Sequence, residues 1–258
     1  MPVVTNGSTR IYWRGDGDTS LPALVLGNSL GCDFSLWDPV INALMKDFYV
    51  VRYDMRGHGG SEAPQGDYTL NQLVDDVQAV IAAARLTSFD YCGISLGGMV
   101  GMELAARRPI GLRHLILSNT SAEFDKTIWD QRITAIRQGG MAAVIDGIVG
   151  RFFTPDFVAA NSLAFKRVRN TALSQVPHGY MGCCAAIRDM DLYPRLSLIQ
   201  AKTLIVVGDF DLSTPLARGQ ALAAHIKGAT IVTIPSAHIP PTEIPEEYLQ
   251  AIVPFLKS

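Results

Sequence analysis

Charge is scarce in this chain. Only 18% of its 258 residues are Asp, Glu, Lys or Arg, and 22 basic against 24 acidic side chains leave a net charge of −2. No basic stripe runs along it, which excludes the electrostatic footprint of a nucleic-acid-binding protein. Long apolar runs are missing too. None reaches the roughly 18 residues that a bilayer span needs, so no membrane partner is expected. The opening residues, Met1-Pro2-Val3-Val4-Thr5-Asn6-Gly7, lack the basic start and apolar stretch of a signal peptide. Cysteine is sparse: Cys32, Cys92, Cys183 and Cys184 show no metal-ligand spacing, and the adjacent pair could bridge only with strain. Reduced thiols in a cytoplasmic protein, with no bound metal, are the expectation.

What the chain does have is apolar material, 48% of all residues, enough for one large core. Segment 9–13 alternates as a half-exposed strand does, whereas 22–27 and 48–53 are short apolar runs of the kind buried in parallel sheets. Helical periods occupy 35–46 and 70–84. A strand leading into Gly93, a helix over 97–107 and a strand over 112–117 continue the alternation. From 121 to 196 the pattern turns helical, without a clear apolar strand and with breaks at Gly139-Gly140, Pro155, Pro177 and Pro194. Strand, helix, strand and helix then resume at 202–207, 216–225, 230–234 and 243–255. The succession predicts an α/β fold: a mostly parallel sheet covered by helices on both faces, built from residues 1–120 and 197–258. Residues 121–196 would form an inserted helical cap over the strands' carboxyl ends, where ligands bind in open α/β sheets.

The segment Gly93-Ile94-Ser95-Leu96-Gly97 stands between an apolar strand and a helix-forming stretch. That context makes Gly-x-Ser-x-Gly a nucleophile elbow, with Ser95 on a sharp, exposed turn and the helix N-terminus aimed at a developing oxyanion. A serine hydroxyl needs a base, and the base needs an acceptor that fixes its tautomer. In this architecture the chain order is Ser, acid, His. His238 directly follows the last strand and is the expected base. His58 sits in a glycine-rich turn and suggests loop geometry, while His114, His178 and His225 suggest solvated or capping side chains. For the acid, Gly208-Asp209-Phe210-Asp211 follows a strong strand; spacing favours Asp211, deeper in the loop, and leaves Asp209 open. Main-chain N–H groups of Leu96 and Leu30 are the expected oxyanion donors.

With those residues in place the chain resembles the α/β-hydrolase superfamily over essentially its whole length. Asn28-Ser29-Leu30-Gly31 with Trp37-Asp38-Pro39, Asp54-Met55-Arg56-Gly57-His58-Gly59-Gly60-Ser61 and Gly93 to Met99 together resemble the 3-oxoadipate enol-lactonases. Gly208-Asp209-Phe210-Asp211 with Thr214-Pro215 is similar to that family's acid loop and supports Asp211. Segment 239–243, Ile-Pro-Pro-Thr-Glu, departs from the Asn- or Glu-bearing form expected after the histidine. The resemblance implies hydrolysis of 3-oxoadipate enol-lactone to 3-oxoadipate in bacterial catabolism of catechol and protocatechuate, with no metal or organic cofactor. Such a substrate carries a carboxylate, for which Arg132 is the expected binder and Trp129, three residues earlier on a cap helix, an apolar wall. Rival readings are a cofactor-free haloperoxidase or perhydrolase, a general carboxylesterase, and a hydrolase-fold ligand receptor.

Overall fold

The computed structural model describes residues 2–258; Met1 lies outside the described residues. Eight strands form one sheet: β1 (Val3–Asn6), β2 (Thr9–Asp16), β3 (Ala23–Gly27), β4 (Tyr49–Tyr53), β5 (Phe89–Ile94), β6 (Leu112–Ser118), β7 (Lys202–Gly208) and β8 (Thr230–Ile234). Their order is β1-β2-β4-β3-β5-β6-β7-β8. The two β2 pairings, with β1 and with β4, are antiparallel, and every other pairing is parallel. β3 and β5 are buried at every position, as expected of strands covered on both faces.

The helices are α1 (Asp38–Leu44), α2 (Leu70–Ala83), α3 (Leu96–Ala106), α4 (Lys126–Gly139), α5 (Ile145–Val149), α6 (Pro155–Ala159), α7 (Leu163–Leu173), α8 (Pro177–Asp189), α9 (Tyr193–Leu196), α10 (Leu216–His225), α11 (Pro240–Glu243) and α12 (Pro245–Leu256). α2 begins at a reciprocal capping box between Thr69 and Gln72. α4 to α9 all lie between β6 and β7, and their breaks follow the chemistry of the chain. Gly140 ends α4 at a φ of 66°, and Pro155 and Pro177 begin α6 and α8.

Proline also moves two expected boundaries. The helix expected over 35–46 divides into a 3₁₀ turn, Phe34–Trp37, and α1, which carries Pro39 in its first turn. The final helix begins at Pro245 rather than at 243, after the separate turn α11. His114 also departs from expectation. It is buried, and its Nδ1 lies 2.9 Å from the Asp90 carboxylate instead of facing solvent. All four cysteines are free and buried, and no helix among the described residues is long and apolar enough to cross a membrane.

Candidate active site

Parallel strands bring the loops after β3, β5, β6, β7 and β8 to one edge of the sheet, and each sequence-predicted core residue of the site sits on one of them. Ser95 occupies the turn from β5 into α3 with φ 54° and ψ −115°, in the left-handed half of conformational space. Backbone bonds hold it there. Its N–H donates to Ser118 O at 2.9 Å, and its carbonyl accepts from Thr120 Oγ1 at 2.7 Å and from Met99 N at 3.0 Å. The flanking glycines are required by close approach: a Cβ on Gly93 would run into the Gly97 carbonyl, and one on Gly97 into the Gly27 carbonyl.

His238 follows β8, and its Nδ1 donates to Asp211 Oδ2 at 2.7 Å, both side chains being almost fully buried. Asp211 also accepts from Ser213 N at 2.8 Å, Thr214 N at 3.1 Å and the Thr214 hydroxyl. Burial opposes charge on this carboxyl, but the His238 ring and the Thr214 donors outweigh it and hold Asp211 below the usual carboxylate range. The acceptor at Nδ1 leaves Nε2 as the ring's basic nitrogen. Asp209 is exposed, and its N–H closes a backbone bond to Ile234 O. Ser95 and His238 line one cavity of about 190 Å³. No hydrogen bond joins Ser95 Oγ to the ring among the described residues; such bonds often tighten only when substrate is bound.

The oxyanion loop is tied to the elbow by Gly97 N, which donates to Asn28 O at 2.9 Å. The Asn28 side chain donates to Tyr53 O at 2.8 Å and accepts from Trp37 Nε1 at 2.9 Å, so Trp37 packs under the loop rather than facing the cavity. Leu30 N and Leu96 N donate to no protein acceptor among the described residues. His58 completes the loop, since its Nε2 accepts from Gly31 N at 3.0 Å. Burial pushes this ring down to about 4. An unfolded chain protonates it near about 6.5, so between those values the unfolded state holds the extra proton and acid weakens the fold, by up to about 3 kcal/mol. Asp54, pushed up to about 6 by burial, acts with the opposite sign, so the informative quantity is a difference between variants. His58→Gln is expected to be less stable than wild type at neutral pH, with the gap narrowing as pH falls from about 6.5 towards 4. Urea midpoints across that range measure it; a gap independent of pH would refute the role.

Three further groups hold the histidine loop, and none has a local sequence signal. Asn119, after β6, donates to Ala237 O at 2.9 Å and His238 O at 3.0 Å and accepts from Gly208 N at 2.7 Å. The Phe152 carbonyl accepts from His238 N and Ile239 N, while its ring stacks on the imidazole at 5.5 Å. Glu243 accepts from Ala237 N and from both donors of Thr154, each at 2.6 Å, so segment 239–243 carries a functioning glutamate after all.

The helical segment between β6 and β7 contributes much of the cavity lining. Trp129 and Arg132 lie one turn apart on α4 and both line the cavity, with the guanidinium carbon 4.5 Å from the Trp129 ring centroid. Arg188, on α8, is shared by Asp67, Asp130 and Asp189. Arg132 has no carboxylate partner among the described residues, and no acidic side chain lines the cavity.

Residues 22–243 match the family model described as alpha/beta hydrolase fold. The chain is 31% identical to 3-oxoadipate enol-lactonase 2 of Acinetobacter baylyi over 93% of its own length and 91% of that protein. A RutD protein of Rhizobium rhizogenes, named for carbamate hydrolysis, is 30% identical over 91% of this chain and 92% of its own. The crystal structure of the enol-lactonase from Burkholderia xenovorans superposes with a TM-score of 0.97 at 35% identity, covering 100% of both chains. A serine strained at the mouth of a mostly parallel sheet, sharing a cavity with a histidine from the loop after the last strand, thus sits in a chain that belongs to the α/β-hydrolase family.

Proposed function

We propose that this hydrolase opens a lactone bearing a carboxylate, 3-oxoadipate enol-lactone to 3-oxoadipate, in cytoplasmic breakdown of aromatic compounds. The observation that carries this reading is an acid-free cavity in which the unpaired Arg132 faces the same space as Ser95 and His238. The names of the relatives from Acinetobacter baylyi and Burkholderia xenovorans support the same substrate. The cavity is also small, about 190 Å³ against the roughly 300–1,000 Å³ of drug-sized sites, which suits a compact ring.

Ser95 Oγ attacks the ring carbonyl while His238 Nε2 takes its proton, and Asp211 holds the ring and stabilises the imidazolium. Leu30 and Leu96 N–H groups receive the oxyanion. The ring C–O bond breaks towards the enol oxygen, a good leaving group because the enol relaxes to a ketone. Water, activated by His238, then cleaves the acyl-enzyme. Residues 121–196 act as the cap that excludes bulk water and presents Trp129 and Arg132.

The test is turnover of the enol-lactone by the wild-type protein, beside a carbamate, a neutral aryl ester, and acetate with peroxide and halide. Rapid multiple turnover of the lactone supports the reading; preference for another substrate, or about one turnover per protein, overturns it. Arg132→Ala is expected to raise KM for the lactone by about 10- to 100-fold, and for the neutral ester far less. Equal effects on the two substrates would remove Arg132 from carboxylate binding.

A further inference from the structure

A second arginine faces the same cavity. Arg151 follows α5 in the turn that precedes α6, and it too has no carboxylate partner among the described residues. It is exposed, at the rim of the cavity. Burial first, and then the nearby charge of Arg132, push the Arg151 guanidinium down from its ordinary value. Two like charges line one cavity with no acid among its walls, which favours entry of an anion.

Arg151 is also pinned to the chemistry. The next residue is Phe152, whose carbonyl accepts from His238 N at 3.0 Å and whose ring stacks on the imidazole. Two buried polar atoms on residues that line the same cavity have no partner, Trp129 Nε1 and Ser29 Oγ. Tyr180 is fully buried, with its hydroxyl beside the Arg132 guanidinium. Orphaned donors of this kind are costly unless a bound oxygen satisfies them.

We propose that Arg151 is a specificity-determining residue that closes a two-arginine clamp with Arg132, each guanidinium taking one oxygen of a short-chain carboxylate. The proposal rests on the hydrolase reading of Ser95 and deepens it: the site selects monoanionic acyl substrates against neutral ones of the same shape. Two fork-shaped donors match a planar carboxylate in a way one lysine would not.

The test uses butanoate and butyramide, a charged and a neutral isostere, as competitors of neutral aryl-ester hydrolysis by wild type, Arg132→Ala, Arg151→Ala and Arg151→Lys. Butanoate is expected to bind wild type at least about tenfold more tightly than butyramide. Arg151→Ala should weaken butanoate by about 10- to 100-fold and butyramide far less, with Arg151→Lys between the two. Thermal shifts of Ser95→Ala with the same two compounds read binding without turnover. A butanoate affinity that ignores Arg151 while depending on Arg132 overturns the clamp, and so does an Arg151→Ala effect confined to kcat. Ester hydrolysis without preference for butanoate sinks the clamp and spares the serine hydrolase. Preference for butanoate without lactone turnover sinks the lactone assignment and spares the clamp.

Discussion

Ser95→Ala is expected to lower kcat for ester or lactone hydrolysis by about five to six orders of magnitude, with the fold intact. On the proposed mechanism the loss is large because nucleophile, base and acid act as a unit: without Oγ, His238 would have no proton to take, and only the oxyanion donors and the binding groups would remain. The fold survives because residue 95 makes every bond that fixes it with its own main chain, to Ser118 O, Thr120 Oγ1 and Met99 N. The strain survives with it. A φ of 54° in a residue with a Cβ costs about 1–3 kcal/mol, a conformation the surrounding bonds enforce. Ser95→Gly relieves that strain, so it should be equally inactive yet more stable, by about 1 kcal/mol. Steady-state kinetics and urea midpoints on the two variants separate the effects. Residual activity within about a hundredfold of wild type would assign the nucleophile elsewhere.

Much of this site is legible in the chain because its makers are local. Gly93, Ser95 and Gly97 announce a turn whose close approaches forbid side chains, and the apolar runs of β3, β5 and β7 announce strands covered on both faces. β1 does not announce itself: four residues alternate between exposed and half-buried, and only pairing with β2 makes them a strand. The order of strands is equally silent, since β4 lies between β2 and β3 through contacts that no window of sequence contains. The same reason hides the supports of His238. Asn119 reaches its carbonyl across 119 positions, and Glu243 reaches Thr154 across 89. Arg151 escapes notice for a different reason. It stands in a turn, outside any helical period, whereas Arg132 is paired with Trp129 by the spacing of a single helix turn. Asp211 and Asp209 lie two residues apart in one loop, and spacing alone separates them poorly.

Asp211→Asn settles that choice by activity, with an expected fall in kcat of about ten-thousandfold. The carboxylate accepts from His238 Nδ1 at 2.7 Å and is otherwise surrounded by donors, Ser213 N, Thr214 N and the Thr214 hydroxyl. An asparagine that keeps its oxygen on the two backbone donors at the Oδ1 position, Ser213 N and Thr214 N, puts its NH2 at the Oδ2 position, facing both His238 Nδ1 and the Thr214 hydroxyl, which turns to accept. Nδ1 then accepts, the proton moves to Nε2, and the nitrogen facing Ser95 can no longer take a proton. Geometry is kept while chemistry is lost, so KM should move far less than kcat. Asp209→Asn, at an exposed site held by its backbone, should stay within about threefold of wild type. The acid limb of stability gives a second reading. A carboxyl held below its unfolded value stabilises the fold above about pH 4, and the benefit disappears as pH falls through the folded value. Asp211→Asn should therefore narrow its stability deficit in strong acid. Near-wild-type turnover in Asp211→Asn, together with inactivity in Asp209→Asn, would reverse the assignment.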